Sequence, residues 1–409
     1  MTSRRPRLLV LSQYYRPEPN FITADVAQAL SEEVDVTVVC ARPNYPLGRY
    51  YDGWRGWLPK RSREGGVTVW RLPLLAYTGD SIWRRALCYG SFLFGAMFLA
   101  PFAAFRPDVV WVYQTPFTTA LAAMGARYLG GARLVYTYAD LWPESLLAAR
   151  VARPGVLMRA LFAYSRWINR HAHMIIASTA GTLERYARDG VPRERLRHVP
   201  VWVDAAPDTA VDLPADAPAS SSVVYVGNLG PAQRLDTLVR AGALLQEQGI
   251  PVEIHLYGSG SAEAELRRLA SELHARNVTF HGRVAPAGAL QVAASALAQV
   301  VSLEPSELFA MTVPSKLAFS FAAGAPVLYG LQGEAARIAA QSGGGILFDP
   351  EDPGSLVRAV IELLQRSAEE RSDMRVALRR FYAANFSRSE LLARYRALLL
   401  NEARHAVAK

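Results

Sequence analysis

Cysteine is scarce in this sequence: two residues among 409, Cys40 and Cys88. They have no metal-ligand spacing and imply no disulfide framework, which suits a reducing compartment. Cys40 lies in an apolar run and reads as core. Zinc-finger spacing, an aromatic-plus-basic RNA motif and a helix-turn-helix pattern are all missing, so nucleic acid is not expected as a partner. There is no Rossmann GxGxxG and no Walker loop. The first fifteen residues do not read as a signal peptide. Their apolar run is short and β-like, and Tyr-Tyr-Arg-Pro-Glu-Pro follows it.

What is present is globular: 51% apolar and 20% charged. The length exceeds what one hydrophobic core usually organises, so two domains are expected. The net charge is +9, and most of the excess is arginine. An anionic membrane surface or a phosphorylated substrate fits that balance.

The stretch Leu303–Pro326 organises the reading. It runs from a strand end through a loop into a helix and leaves through Gly324 toward another strand. Val313-Pro314-Ser315-Lys316 stands where that helix begins, with Pro314 placed in its first turn. Free N–H groups there favour an anion, and Lys316 adds a compact positive charge. The competing reading is an ordinary helix start with an exposed lysine.

In chain order, Arg7–Tyr15, Glu33–Ala41, Val67–Pro73, Asp108–Tyr113, Arg133–Tyr138, Met174–Thr179 and Leu196–Asp204 read as strands of a first domain. Continuous apolar strands alternating with helices argue for a parallel sheet covered on both faces. Ligands in such sheets sit beyond the carboxyl ends of strands. That singles out the loops after Tyr15, Ala41, Tyr113 and Tyr138. The last, Ala139–Ser145, crowds Asp140, Trp142, Pro143 and Glu144 together, although Asp140 also reads as a helix N-cap. Residues 205–221 are Ala/Pro/Asp/Ser-rich without periodicity and read as a linker. A second α/β domain follows over 222–385. Its first strand ends in Gly227, and the loop Asn228–Arg234 can cradle phosphate. Gly282-Arg283 stands at another strand end, and 386–409 reads as a terminal helix with Leu391, Leu392, Tyr395, Leu398 and Leu399 on one face.

One segment stands apart. Ala86–Phe105 carries no charge and is flanked by Arg84, Arg85 and Arg106. Three readings stand: a membrane span, a buried core helix, and a helix docked on a membrane interface. The basic flanks and Trp83, Phe92, Phe94 and Phe98 favour the interface.

The order of motifs resembles the family 4 glycosyltransferases of the GT-B fold. VYVGNLGPAQRLDTL, HLYGSG, FHGRV, VPSKLAFSFAAGAPVL and GEAA occur in that family's order in the second domain. SQYYRPE, RPNYPLGRYYDG and DLWPES in the first are similar to transferases of bacterial surface-polysaccharide assembly, including colanic-acid fucosyl- and O-antigen fucosamine-type enzymes. The resemblance implies two Rossmann-like domains facing across a cleft: an acceptor-side domain over 1–204 and a donor-side domain over 222–385. The terminal helix would brace the first domain. It implies a hexosyltransferase that uses a nucleoside-diphosphate sugar as substrate, UDP- favoured over GDP-, with no cofactor and no metal. Gly282 and Arg283 would frame the base. Pro314, Ser315, Lys316 and Leu317 would meet the diphosphate, and Gly227, Asn228 and Gln233 would line diphosphate and sugar. Asn20, Asn44, Tyr45, Gln114, Trp142 and Glu144 would lie on the acceptor side, with Asp140 positioning or polarising the acceptor.

The sequence departs from the wider family in two places. The two acids of its glutamate motif, the second of which holds the ribose, are replaced by Met311 and Phe319. The basic pair of the glycine-rich loop is replaced by Asn228 and Gln233, leaving Arg234 and Lys316 to supply positive charge. Glu304 and Glu307 lie upstream, toward the donor sugar. No Asp-x-Asp stands in a suitable strand-end loop, so the expected chemistry is a metal-independent, retaining transfer. The acceptor is expected to be a lipid-linked saccharide. The place is the cytoplasmic face of a bacterial inner membrane. The alternatives are a soluble transferase for a small molecule, an inactive GT-B binding subunit, and, more remotely, a sugar-phosphate epimerase.

Overall fold

The computed structural model describes residues 4–19, 21–79, 81–103, 106–114, 116–139, 141–144, 146, 155–203 and 221–407. Asn20, Asp140 and linker residues 205–220 lie outside the described residues. The chain divides into two compact units. One is Met1–Ser178, Thr182–Val199 and Leu392–Lys409; the other is Thr179–Gly181 and Pro200–Leu391.

The first unit runs β1 (Arg7–Leu11), α1 (Phe21–Leu30), β2 (Asp35–Ala41), β3 (Lys60–Glu64), β4 (Val67–Leu72), α2 (Ile82–Ala103), β5 (Val109–Tyr113), α3 (Thr119–Gly130), β6 (Arg133–Tyr138), α4 (Val156–His171), β7 (Met174–Ala177), α5 (Ala180–Arg188) and β8 (Leu196–His198). Its eight strands lie in the order β3-β4-β2-β1-β5-β6-β7-β8. Seven are parallel, and β5 and β6 are apolar runs buried along nearly their whole length, as a sheet covered on both faces requires. The edge strand β3, KRSRE, pairs antiparallel with β4 and has no counterpart in the sequence reading. It has no apolar run to announce it. The ladder and a buried Arg71 on Glu64 hold it in place.

The second unit runs β9 (Ser222–Val226), α6 (Leu235–Glu247), β10 (Glu253–Tyr257), α7 (Glu263–Glu272), β11 (Val278–Gly282), α8 (Pro286–Ser295), β12 (Ala298–Ser302), the single turn α9 (Glu307–Ala310), α10 (Ser315–Ala323), β13 (Val327–Gly330), α11 (Gly333–Gln341), β14 (Gly345–Leu347), α12 (Pro353–Gln365) and α13 (Ala368–Asn385). Its six parallel strands lie in the order β11-β10-β9-β12-β13-β14. Strand order reverses at β1/β5 in the first sheet and at β9/β12 in the second. Such reversals leave crevices at the strand ends where ligands bind.

The final helix α14 (Arg388–Val407) buries Leu391, Tyr395, Leu399 and Ala403 along one stripe. Its Tyr395 ring lies 5.7 Å from Trp111 of β5, and Arg133 pairs with Glu402 at 2.6 Å.

The membrane-span reading of Ala86–Phe105 is overturned: among the described residues no helix is long and apolar enough to cross a membrane. Helix α2 buries Cys88, Phe92 and Ala96, spaced i, i+4, i+8, and leaves Trp83, Leu87, Phe94, Met97 and Phe98 exposed.

Candidate functional site

In the second unit the β9/β12 crevice is built from backbone laid against backbone. Gly227 ends β9 with φ +145°, a left-handed-side conformation that L side chains rarely adopt. Its N–H donates to Tyr257 O at 2.8 Å, and Leu229 N donates to Ser259 O at 3.1 Å, so the Asn228–Arg234 loop is seated on the Gly-Ser-Gly loop after β10. A Cβ on Gly258 would stand 1.8 Å from Gly227 O, so that close approach requires glycine. The turn Pro231–Gln233 is stapled to the end of β12: Ser302 Oγ donates to Gln233 O at 2.6 Å, and Glu304 N donates to Ala232 O at 2.8 Å.

Helix α10 begins at this crevice. Pro314 is its N-cap residue, extended at ψ 134°, and Ser315 is the first helical position; the sequence reading placed Pro314 one step too far in. Proline brings no side-chain acceptor, so α10 starts without a cap, and Leu317 N already turns back to Pro314 O at 2.9 Å. The amides of Ser315 and Lys316 therefore begin the helix with its positive dipole end uncovered. Lys316 folds back over the β9 end. Its ammonium lies 5.4 Å from the centre of the Tyr225 ring, and a Cβ on Gly227 would meet its Cε at 2.4 Å. Burial lowers its pKa to about 8, and among the described residues no carboxylate pairs with it. Tyr225 was not singled out in the sequence. Its hydroxyl holds Asn228 O at 2.7 Å while its face carries the ammonium.

The other residues expected on the donor side divide by what they touch. Arg283 Nε donates to Ser259 Oγ at 2.7 Å, beside the positive-φ Gly282. Gln233 Oε1 caps Gly230 N at 3.1 Å, so half of its amide is committed to the turn. Arg234 pairs with Glu351 at 2.7 Å and Asp236 at 3.3 Å, and its guanidinium is thus neutralised locally. Glu304 is half-buried, and Glu307 is exposed as the first residue of α9, behind the Ser306 cap. Phe319 packs against the apolar cluster that contains Leu317, Phe321 and Tyr382.

In the first unit the β1/β5 crevice collects buried polar groups: Ser12, Gln13, Glu18, Asn44 and Gln114 are each buried. Glu18 was not singled out in the sequence, although the loop after Tyr15 that carries it was. Its Oε1 accepts from Asn44 N and Tyr45 N, both at 2.7 Å, and its Oε2 accepts from Tyr15 N at 3.3 Å. One carboxyl thus clamps the loop after β2 to the loop after β1. Burial pushes its pKa up to about 7, against the three amides and Arg71, which act to lower it. Tyr45 is exposed, with its ring 5.1 Å from Tyr14. Gln114 N bonds to Thr137 O at 2.9 Å at the β5 end. Trp142 stacks on Phe117 at 6.3 Å, and Glu144, its pKa raised by burial, lies 3.7 Å from Arg185.

Comparison with known proteins agrees with this layout. Residues 19–202 match the model of a glycosyl transferase 4-like domain, and residues 220–366 match that of the glycosyl transferases group 1. The chain is 27% identical over 292 residues to the colanic acid biosynthesis glycosyl transferase WcaI of Escherichia coli, covering 67% of this chain and 71% of that one. It is 25% identical over 297 residues to the glycosyltransferase WbjE of Pseudomonas aeruginosa, covering 68% and 71%. Among solved structures, Anabaena HepE in complex with UDP and glucose superposes with a TM-score of 0.68 at 14% identity, over 97% of this chain and 98% of that one.

Proposed function

The chain belongs to the glycosyltransferases of the GT-B type, and on that premise we propose that it moves a sugar from a nucleoside-diphosphate donor to a lipid-linked saccharide, with retention and without a metal ion. The observation that carries the donor half is the uncapped start of α10 with the Lys316 ammonium, which has no carboxylate partner among the described residues, folded over Gly227. When the glycosidic bond breaks, negative charge grows on the leaving diphosphate. Oriented amides and a desolvated cation stabilise that charge without reorganising, which is the same work a divalent ion does elsewhere. The donor is a UDP-sugar, the ligand class seen in the HepE complex with UDP-glucose. The leaving phosphate takes the acceptor hydroxyl's proton on the same face of the sugar, giving retention. The base rests by Gly282 and Arg283. The acceptor lies by Asn44 and Tyr45, on a loop that Glu18 ties to the loop after β1, and by Gln114 and Trp142 at the ends of β5 and β6. Surface-polysaccharide assembly, as in the WcaI relative's name, supplies the acceptor class. The exposed aromatic face of α2, next to Arg84 and Arg85, holds the protein on the cytoplasmic face of the inner membrane.

A panel of UDP, GDP and their sugars in EDTA tests the donor site by thermal shift, because a ligand of the native state raises the melting temperature by mass action. The expected result is a shift with UDP and smaller shifts with GDP. Silence across the panel would favour the other reading, a GT-B binding subunit, for which the apolar packing of Phe319 is the supporting observation.

A further inference from the structure

Two large apolar side chains stand far into solvent on a turn outside the site: Trp57 is 83% exposed and Leu58 is 78% exposed. A loose loop would explain that, but this turn is braced. The buried Arg42 sends Nη1 to Trp54 O at 2.8 Å and Nη2 to Leu58 O at 2.6 Å, grasping the turn from beneath at both ends. Gly56, at φ +147°, lies so close over that guanidinium that a Cβ would meet Nη1 at 2.5 Å. The Trp54 ring is held by Lys60 at 4.9 Å and Arg71 at 4.8 Å. An arginine buried to hold two carbonyls keeps Trp57 and Leu58 out rather than letting them fold back.

The surroundings are basic. Arg49, Arg55, Lys60, Arg61 and Arg63 stand against Asp52 alone over residues 49–63. Three of those cations, Lys60, Arg61 and Arg63, are exposed on the edge strand β3, whose Glu64 is paired with Arg71. The turn also shares one end of the first unit with the start of α2. β2 and β4 are parallel, so the loops after them leave the same sheet end, and they are bonded to each other through Tyr50 Oη with Leu74 and Thr78 Oγ1 with Pro46.

We propose that the braced Trp57–Leu58 turn is a membrane wedge that enters an anionic lipid surface, with β3 on the headgroups as a second anchor beside α2. An aromatic next to an aliphatic side chain suits the headgroup–acyl boundary, and the flanking cations suit anionic lipid. The proposal takes its partner class from the membrane reading above, and the test separates the two.

Full-length protein is sedimented with phosphatidylglycerol vesicles and with phosphatidylcholine vesicles. Trp57→Ser/Leu58→Ser is compared with Trp83→Ser/Phe94→Ser on α2, each checked for an unchanged melting temperature. The expected result is preferential binding to phosphatidylglycerol that falls about tenfold in the turn variant, the scale of losing one inserted aromatic. Quenching by brominated lipid is also expected to drop in Trp57→Phe. Undiminished binding of the turn variant, with loss only in the α2 variant, overturns the wedge and leaves the membrane reading standing. No vesicle binding by the wild type overturns both. Lipid-free self-association that vanishes in the turn variant overturns the wedge in favour of a protein contact.

Discussion

Lys316 is the residue on which the proposed donor binding turns. With a pKa near 8 it is mostly charged at neutral pH and loses its proton only a little above it. Bound diphosphate favours the charged form. UDP binding is therefore expected to take up a proton near pH 8 and to weaken as pH rises beyond it. Calorimetry in buffers of different ionisation enthalpy measures both. Lys316→Ala should remove the pH dependence along with most of the turnover; near-wild-type activity would end its assigned role. Gly227→Ala tests the same point from the other side, since its Cβ would fall 2.4 Å from Lys316 Cε at a backbone of φ +145°. It should cost about 1–3 kcal/mol of stability through strain and weaken UDP binding by displacing the ammonium. Glu18 gives a different signature. Its folded pKa of about 7 stands above the ordinary 4.5. The stability it contributes is thus full below pH 4.5 and lost as pH rises through about 7. Urea unfolding of Glu18→Gln should show a flatter pH profile in that window than the wild type.

Elements show where pattern and packing part ways. Helix α10 was legible because Pro-Ser-Lys opens it and Gly324 closes it, yet its first residue was misplaced by one. A proline with extended ψ serves as cap as readily as first-turn residue, and only the backbone angles separate the two. Helix α2 was ambiguous for a physical reason: an uncharged run reads alike whether it faces protein, lipid or both. Here one stripe meets the sheet and the opposite one is bare. Strand β3 was invisible, because its lysine and arginines suit a loop until β4 offers a ladder. Helix α14 was legible as amphipathic, and the resemblance implied that it braces the first domain; the ring it meets there, Trp111, came only with the fold. Tyr395→Ala takes a buried ring off Trp111 and should destabilise the first unit by about 3 kcal/mol, measurable as an earlier urea transition. UDP binding, which is proposed for the other unit, should be unchanged.

Across the whole molecule the net charge of +9 acts at longer range than any single contact. If anionic lipid is the partner, vesicle binding should fall several-fold between low and high salt as the screening length shrinks, from about 10 Å at 0.1 M to about 3 Å at 1 M. Salt-independent partitioning would assign attachment to the aromatics alone. The sequence by itself determined the alternation of buried strands and helices and the glycine, proline and lysine punctuation of the loops around Gly227 and Lys316. These are local properties: apolar period, turn chemistry and charge at a helix start. The tertiary structure alone decided which loops meet. Strand order brings Gly227 to Lys316, 89 positions apart. A buried carboxylate at Glu18 gains meaning only when the amides of Asn44 and Tyr45 close on it. Arg42 becomes the brace of an exposed tryptophan only when the chain turns back over it. Contacts between distant residues depend on the order in which strands pair, and no local pattern in the chain carries that order.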